Sequence, residues 1–192
     1  MYGSMKKVVF RLLYKSQLRT HHNRVAVGFF ATLVKKMKPG SFTQIYIHYV
    51  FVVSHKTYLI HEKQQIEVYP FIAGLINSMG HKSLAVNGMP DHIHVFMGFN
   101  PNKSPSETIK EIKRASTNFI NSKKWFQGNF SWQSGYGGFS YSRSQIDNVI
   151  NYIKNQKIHH QKKSFKEEYL EILKKFDIDF DERYLFDFLD DD

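Results

Sequence analysis

The chain has 192 residues, a formal net charge of +10, and 42% hydrophobic and 16% aromatic residues. That length suits one folded domain plus an extension, and that composition excludes a disordered chain. Cysteine is absent, which excludes a disulfide framework, a thiolate zinc site, an iron–sulfur cluster and a cysteine nucleophile, and fits a reducing, cytoplasmic compartment.

The charge is unevenly spread. Residues 1–40 carry nine Lys or Arg and no acid, residues 41–166 carry fifteen against six, and residues 167–192 carry three against eleven. A basic middle points first to nucleic acid as partner and second to an anionic membrane surface. The longest apolar run, residues 25–34, is too short to cross a bilayer, so no membrane anchor is expected. The first 40 residues loosely resemble a transit peptide but lack the pattern of a secretory signal. They end in the turn Lys38-Pro39-Gly40. The expected organisation is therefore a basic N-terminal extension over 1–40, followed by a domain over 41–192 with an acidic C-terminal helical tail. Residues 1–36 then read as translated upstream sequence or a loosely attached arm, with Met37 a possible true start; a helical extension stays open.

Residues 43–53 (TQIYIHYVFVV) are β-branched and aromatic, hence a strand buried on at least one face. Residues 62–79 place Ile66, Tyr69, Ile72, Ala73, Ile76 and Met79 at helical spacing, and Gly80 is a natural stop. Residues 83–87 and 92–99 read as short strands joined by the turn Gly88-Met89-Pro90-Asp91. Ser104-Pro105-Ser106-Glu107 is a strong helix start, and that helix should reach about Asn121. Residues 135–138 (GYGG) read as a flexible loop before a strand over 139–142. Ser144 then caps a helix running to about Gln161, and Ser164 with Glu167 forms a capping box opening the last helix. The order β-α-β-β-α-β-α-α predicts an α+β fold: a four- or five-stranded, mostly antiparallel sheet with helices packed on one side, plus C-terminal helices.

Three groups of residues can carry chemistry. His92 and His94 flank Ile93 on a predicted strand, so both imidazoles point to one face, ~7 Å apart, and can share a metal ion. They can equally be half-exposed strand histidines. Tyr152 and Gln156 are neighbours one turn apart on the helix whose core stripe is Ile146, Val149, Ile150 and Ile153. They fall roughly 70–110° off that stripe, beside whatever the core face packs against. A phenol and an amide oxygen there suit a nucleophile and a metal ligand, or else a surface tyrosine with a solvated glutamine. Lys110, Lys113 and Arg114 share one helical face, with Lys123 and Lys124 at its end: a phosphate-contacting ridge or merely a solvated face. Trp125, Trp132 and Tyr136 can stack on unpaired bases or lie buried.

The combination says more than its parts. Met89-Pro90-Asp91-His92-Ile93-His94-Val95, then residues 132–140 (WQSGYGGFS), then residues 146–156 (IDNVINYIKNQ) with His159-His160 behind, resemble the single-tyrosine transposases of the HUH superfamily. More closely, they are similar to the small members that move hairpin-ended insertion sequences as single-stranded DNA. The likeness runs over about residues 41–190; residues 1–40 depart from it. The resemblance implies Tyr152 as nucleophile and His92, His94 and Gln156 as ligands of Mg²⁺ or Mn²⁺, whereas paired imidazoles alone would equally suit Zn²⁺. It further implies a stem-loop single-stranded DNA substrate, a 5′-phosphotyrosine intermediate, and a homodimer in which the tyrosine helix completes the partner's site. The flexible loop over residues 135–138 before that helix would permit such an exchange. Asp91 reads as either an imidazole acceptor or a turn residue. The alternatives are a domesticated, stem-loop-binding relative without transposition activity, a rolling-circle initiator or relaxase, and a metal hydrolase on His92 and His94. The hydrolase lacks further ligands near that strand; the initiators are usually longer.

Overall fold

Residues 42–188 are described in a computed structural model; the expected basic extension and the domain start at Ser41 lie outside them. The β-branched and aromatic run forms β1 (Tyr46–Val52), shorter at its start than expected. Helix α1 (Glu62–Ser78) leads to the hairpin of β2 (Lys82–Gly88) and β3 (His92–Gly98). Helix α2 (Pro105–Ser122), β4 (Gly137–Ser140), α3 (Ile146–Lys154), a single turn α4 (Gln156–His159) and α5 (Phe165–Lys175) complete the order. The sheet has four strands in the order β2-β3-β1-β4, every neighbouring pair antiparallel. Glycine is required at position 88 of the hairpin, because a Cβ there would stand 2.2 Å from the His92 carbonyl oxygen. Between Ser83 and Ala85 the β2–β3 register shifts, leaving Leu84 as a bulge.

Strand alternation sends β1 and β3 residues to two different cores. Tyr49, Phe51, Ile93, Val95 and Met97 pack under α1 and α2 with Ile72, Ile76, Ile109, Ile112 and Trp132. Each such side chain contributes about 1.5–3 kcal/mol by leaving water. On the other face Val50, Val52 and Phe139 pack under α5, and Ala85 and Phe96 under α3. Helices thus cover both faces of the sheet, not one. The expected stripe of α1 is also rotated: Gln65, Val68, Ile72 and Ile76 are buried, whereas Ile66 is 76% exposed. Gln65 is drawn inward because its amide donates to the Ile60 carbonyl at 2.8 Å.

Three further expectations need correcting. Gly137 and Gly138 are not loop residues; they pair with Val50 and Tyr49 in β4, which leaves only Gly135 and Tyr136 of that segment outside the strand. Ser144 caps no α-helix but sits within a 3-10 turn over Arg143–Gln145. The helix expected to reach Gln161 breaks at Asn155, whose backbone leaves helical geometry (φ −98°, ψ 21°). The carbonyls freed there accept from the Asn87 amide, Ile153 at 2.8 Å and Lys154 at 3.1 Å. The two capping serines, Ser104 and Ser164, stand where the sequence puts them, the second with its full reciprocal capping box.

Candidate active site and metal centre

His92 and His94 project from β3 to the face shared with Val50 and Val52, and both are fully buried. Each ring is oriented through its Nδ1. His92 Nδ1 lies 2.9 Å from Asp91 Oδ1, and His94 Nδ1 lies 2.9 Å from Nε2 of His48, on the neighbouring strand. The Nε2 atoms of His92 and His94 have no hydrogen-bond partner. With the Asp91 carboxylate accepting its Nδ1–H, His92 presents an Nε2 lone pair for a metal, and His94 does so in the tautomer that donates its Nδ1–H to His48. Burial pulls His94 well below the ordinary histidine value, with His92 and His48 adding to the effect, and pulls His48 down to about 3.

Opposite them stands a residue the sequence reading missed. The capping box at Ser164 sets the start of α5, and the next residue after its Glu167, Glu168, turns inward and is 2% exposed. Its Oε1 lies 3.6 Å from His94 Nε2, and its Oε2 lies 3.8 Å from His92 Nε2. Burial pushes this carboxyl up to about 8, and the carboxylates of Asp91 and Glu171 push the same way. His160 Nε2 is 2.8 Å from Glu168 Oε2, off the line of a hydrogen bond. Burial, with His92 adding, lowers His160 to about 4.

Tyr152 and Gln156 both reach this cluster. The Tyr152 hydroxyl donates to Glu168 Oε1, and Gln156 Nε2 donates to the same oxygen at 3.0 Å. Gln156 is fully buried, not beside the core as helical arithmetic implied, because the break at Asn155 turns it inward. Its Oε1 lies 3.0 Å from His160 Nε2. Tyr152, half-buried, faces a cavity of about 500 Å³ lined also by Tyr141, Gln145, Asn148, Glu168 and Lys175. Two buried imidazoles with free Nε2 atoms and a buried carboxylate, their ligand atoms all within 4.8 Å of one another, fit a divalent cation. The donor set of nitrogen and oxygen suits Mg²⁺ or Mn²⁺ less selectively than an all-oxygen shell would.

Lys110, Lys113 and Arg114 are not at this site. They lie on α2, whose buried residues pack on the opposite face of the sheet. Lys113 Nζ donates to the carbonyls of Gln133 and Gly135, both at 2.6 Å, and burial lowers its pKa. Arg114 makes a two-pronged contact with Glu111 at 2.9 and 2.7 Å, and Lys110 is exposed. Trp132 is a core residue whose Nε1 donates to Ser116 Oγ at 2.9 Å, so it offers no stacking surface. Tyr136 keeps 40% of its surface exposed.

Among the described residues, no helix is long and apolar enough to cross a membrane. The fold is similar to that of a protein of Deinococcus radiodurans R1 assigned as a transposase, with 20% identity and a TM-score of 0.50, over 63% of this chain and 97% of that one. It is also similar to a REP-associated tyrosine transposase bound to a REP hairpin, with 14% identity and a TM-score of 0.48, over 65% of this chain and 74% of that one. No curated protein matches the chain. The sequence profile of a family described as "Transposase IS200 like" matches residues 41–156, which include the paired histidines and Tyr152. That match spans more than half of the sequence, and the chain therefore belongs to the family of IS200-like transposases.

Proposed function

We propose that the protein cleaves and rejoins single-stranded DNA at stem-loop-marked element ends, with Tyr152 as nucleophile and a divalent cation at His92 and His94. The observation that carries this reading is the seat of Tyr152: its hydroxyl is hydrogen-bonded into the same buried cluster as the two histidines, at the edge of a cavity. Gln156 and Glu168 close the cluster from the other side. A bound Mg²⁺ or Mn²⁺ would withdraw charge from the non-bridging oxygens of the scissile phosphate. The Tyr152 oxygen attacks phosphorus, its proton passes along the hydrogen bond to the Glu168 carboxylate, and the bond to the 3′ oxygen breaks, that oxygen taking up a proton from solvent. The products are a 5′-phosphotyrosine and a free 3′-hydroxyl. A tyrosine titrates near pH ~10 when free, so an acceptor aligned on its proton supplies needed activation. The phosphotyrosine retains the bond energy, so a 3′-hydroxyl can later attack it and rejoin the strand without a nucleotide cofactor.

The cavity beside Tyr152 gives the cleaved strand room, with Gln145, Asn148 and Lys175 on its walls. The DNA contacts assigned to Lys110, Lys113 and Arg114 would fall on the far side of the sheet, as a stem-loop backbone contact away from the chemistry. Because Lys113 and Arg114 are engaged within the chain, Lys110 is the readiest of the three to meet phosphate. A homodimer would hold two element ends together, while Tyr152 remains seated on its own chain's cluster.

The test incubates labelled single-stranded DNA, carrying the stem-loops that flank the gene, with protein and Mn²⁺. A covalent adduct on a denaturing gel that disappears with EDTA and with Tyr152→Phe is the expected result. Tight stem-loop binding without any adduct would overturn the nuclease reading in favour of a domesticated binding protein.

A further inference from the structure

We infer that Glu168, not Gln156, is the third protein ligand of the metal, and that Gln156 is a positioning residue that braces Glu168. The inference rests on the metal-dependent reading above and deepens it. Its first support is hydrogen bonding. His92 Nε2, His94 Nε2 and Glu168 Oε2 are all buried and all lack a hydrogen-bond partner. Buried polar atoms are rarely left so, and an ion satisfies all three together.

Distance gives the second support. The separations of 3.6 and 3.8 Å between the histidine nitrogens and the Glu168 oxygens are too long for hydrogen bonds. Ligands held about 2.1 Å from one ion at tetrahedral or octahedral angles stand roughly 3.0–3.5 Å apart, close to what is found.

Gln156 has neither property. Its amide is used at both ends, Nε2 toward Glu168 Oε1 and Oε1 toward His160 Nε2, each at 3.0 Å. Turning the amide over to aim its oxygen inward would set that oxygen against a carboxylate oxygen. The network therefore fixes the amide with its nitrogen toward the site. Charge supports the same assignment: two neutral imidazoles and an amide would leave a buried dication uncompensated, whereas Glu168 offsets one charge. Helix α5 begins beyond residue 156, where the family match ends. The ligand thus comes from a segment that match does not include.

The experiment is calorimetric titration of the metal-free full chain with Mn²⁺ alone, with no DNA and no activity readout. Wild type is compared with Glu168→Gln, Glu168→Ala and Gln156→Ala, each checked for folding by circular dichroism. Loss of a ligand should weaken Mn²⁺ binding roughly a hundredfold or more in both Glu168 variants. Loss of a brace should cost about tenfold in Gln156→Ala, in the range of residues that orient ligands. Equal losses, or a larger loss in Gln156→Ala, would overturn the inference while leaving the metal site standing. A wild-type chain that binds no Mn²⁺ would overturn the metal reading and this inference together. If the Glu168 variants do not fold, Gln156→Ala decides alone: about tenfold or less supports the brace, a hundredfold loss refutes it.

Discussion

Replacing Asn87 by alanine removes the two hydrogen bonds that hold the end of α3 against the sheet. Asn87 pairs with His94 across the β2–β3 ladder, and its amide donates to the carbonyls of Ile153 and Lys154. It therefore ties the helix carrying Tyr152 to β2, the ladder partner of the strand carrying His92 and His94. The bond to Ile153 is partly buried and contributes about 1 kcal/mol; the bond to Lys154 is exposed and contributes a few tenths. Asn87→Ala should thus lose about 1–1.5 kcal/mol, or roughly 3–6 °C in Tm for a domain of this size. Asn87→Asp should lose more, about 2 kcal/mol, because it removes both donors and sets a negative charge beside the negative end of a helix. Urea unfolding with an unchanged m-value measures both losses. The reasoning is refuted if Asn87→Ala is as stable as wild type, since that would mean the carbonyls do not depend on the amide.

Lys113→Met should cost about 2 kcal/mol in urea unfolding, from two charge-assisted bonds to loop carbonyls, and leave the salt dependence of DNA binding unchanged. A reduced salt slope with unchanged stability would instead place Lys113 on the phosphate backbone. Gly137→Ala would bring a Cβ within 2.9 Å of the Phe139 ring and 3.0 Å of the Tyr169 ring. The expected loss is about 1–3 kcal/mol by overpacking, and calorimetry should also show weaker Mn²⁺ binding because α5 is displaced. Mn²⁺ at a hundred times its Kd should stabilise wild type by about 2.7 kcal/mol in thermal unfolding, and His94→Ala should erase that gain. An equal gain in His94→Ala would place the ion elsewhere.

What could be read in advance was local. His92-Ile93-His94 lies on a strand buried on both faces, so two-residue alternation alone puts both imidazoles on one side. Ser104 with Glu107 and Ser164 with Glu167 start helices through bonds made within four residues. What escaped was set by distant parts of the chain. The break at Asn155 follows an unbroken apolar period, and the amide that donates to the Ile153 carbonyl beside it lies 66 residues earlier. Glu168 sits among acids that read as a solvated tail; only the packing of α5 over Val50, Val52 and Phe139 buries it. Lys113 fits a basic ridge by spacing, but a loop from twenty residues further on claims its ammonium. Glycines 137 and 138 suggested mobility, whereas β1 recruits them as a ladder partner.

The bulge at Leu84 has a bearing on how this architecture tolerates change. Upstream of it, Lys82 and Ser83 pair with Gly98 and Met97; downstream, Val86 and Asn87 pair with Val95 and His94. The extra residue works as slack in the strand. A residue gained or lost in the turn between α1 and β2 can be absorbed there by shifting or straightening the bulge. Past that point the ladder keeps its phase, so Asn87 stays opposite His94 and the tyrosine helix stays moored. Length variation among chains of this design should therefore collect before Leu84, and the stretch from Ala85 to His94 should keep a constant count.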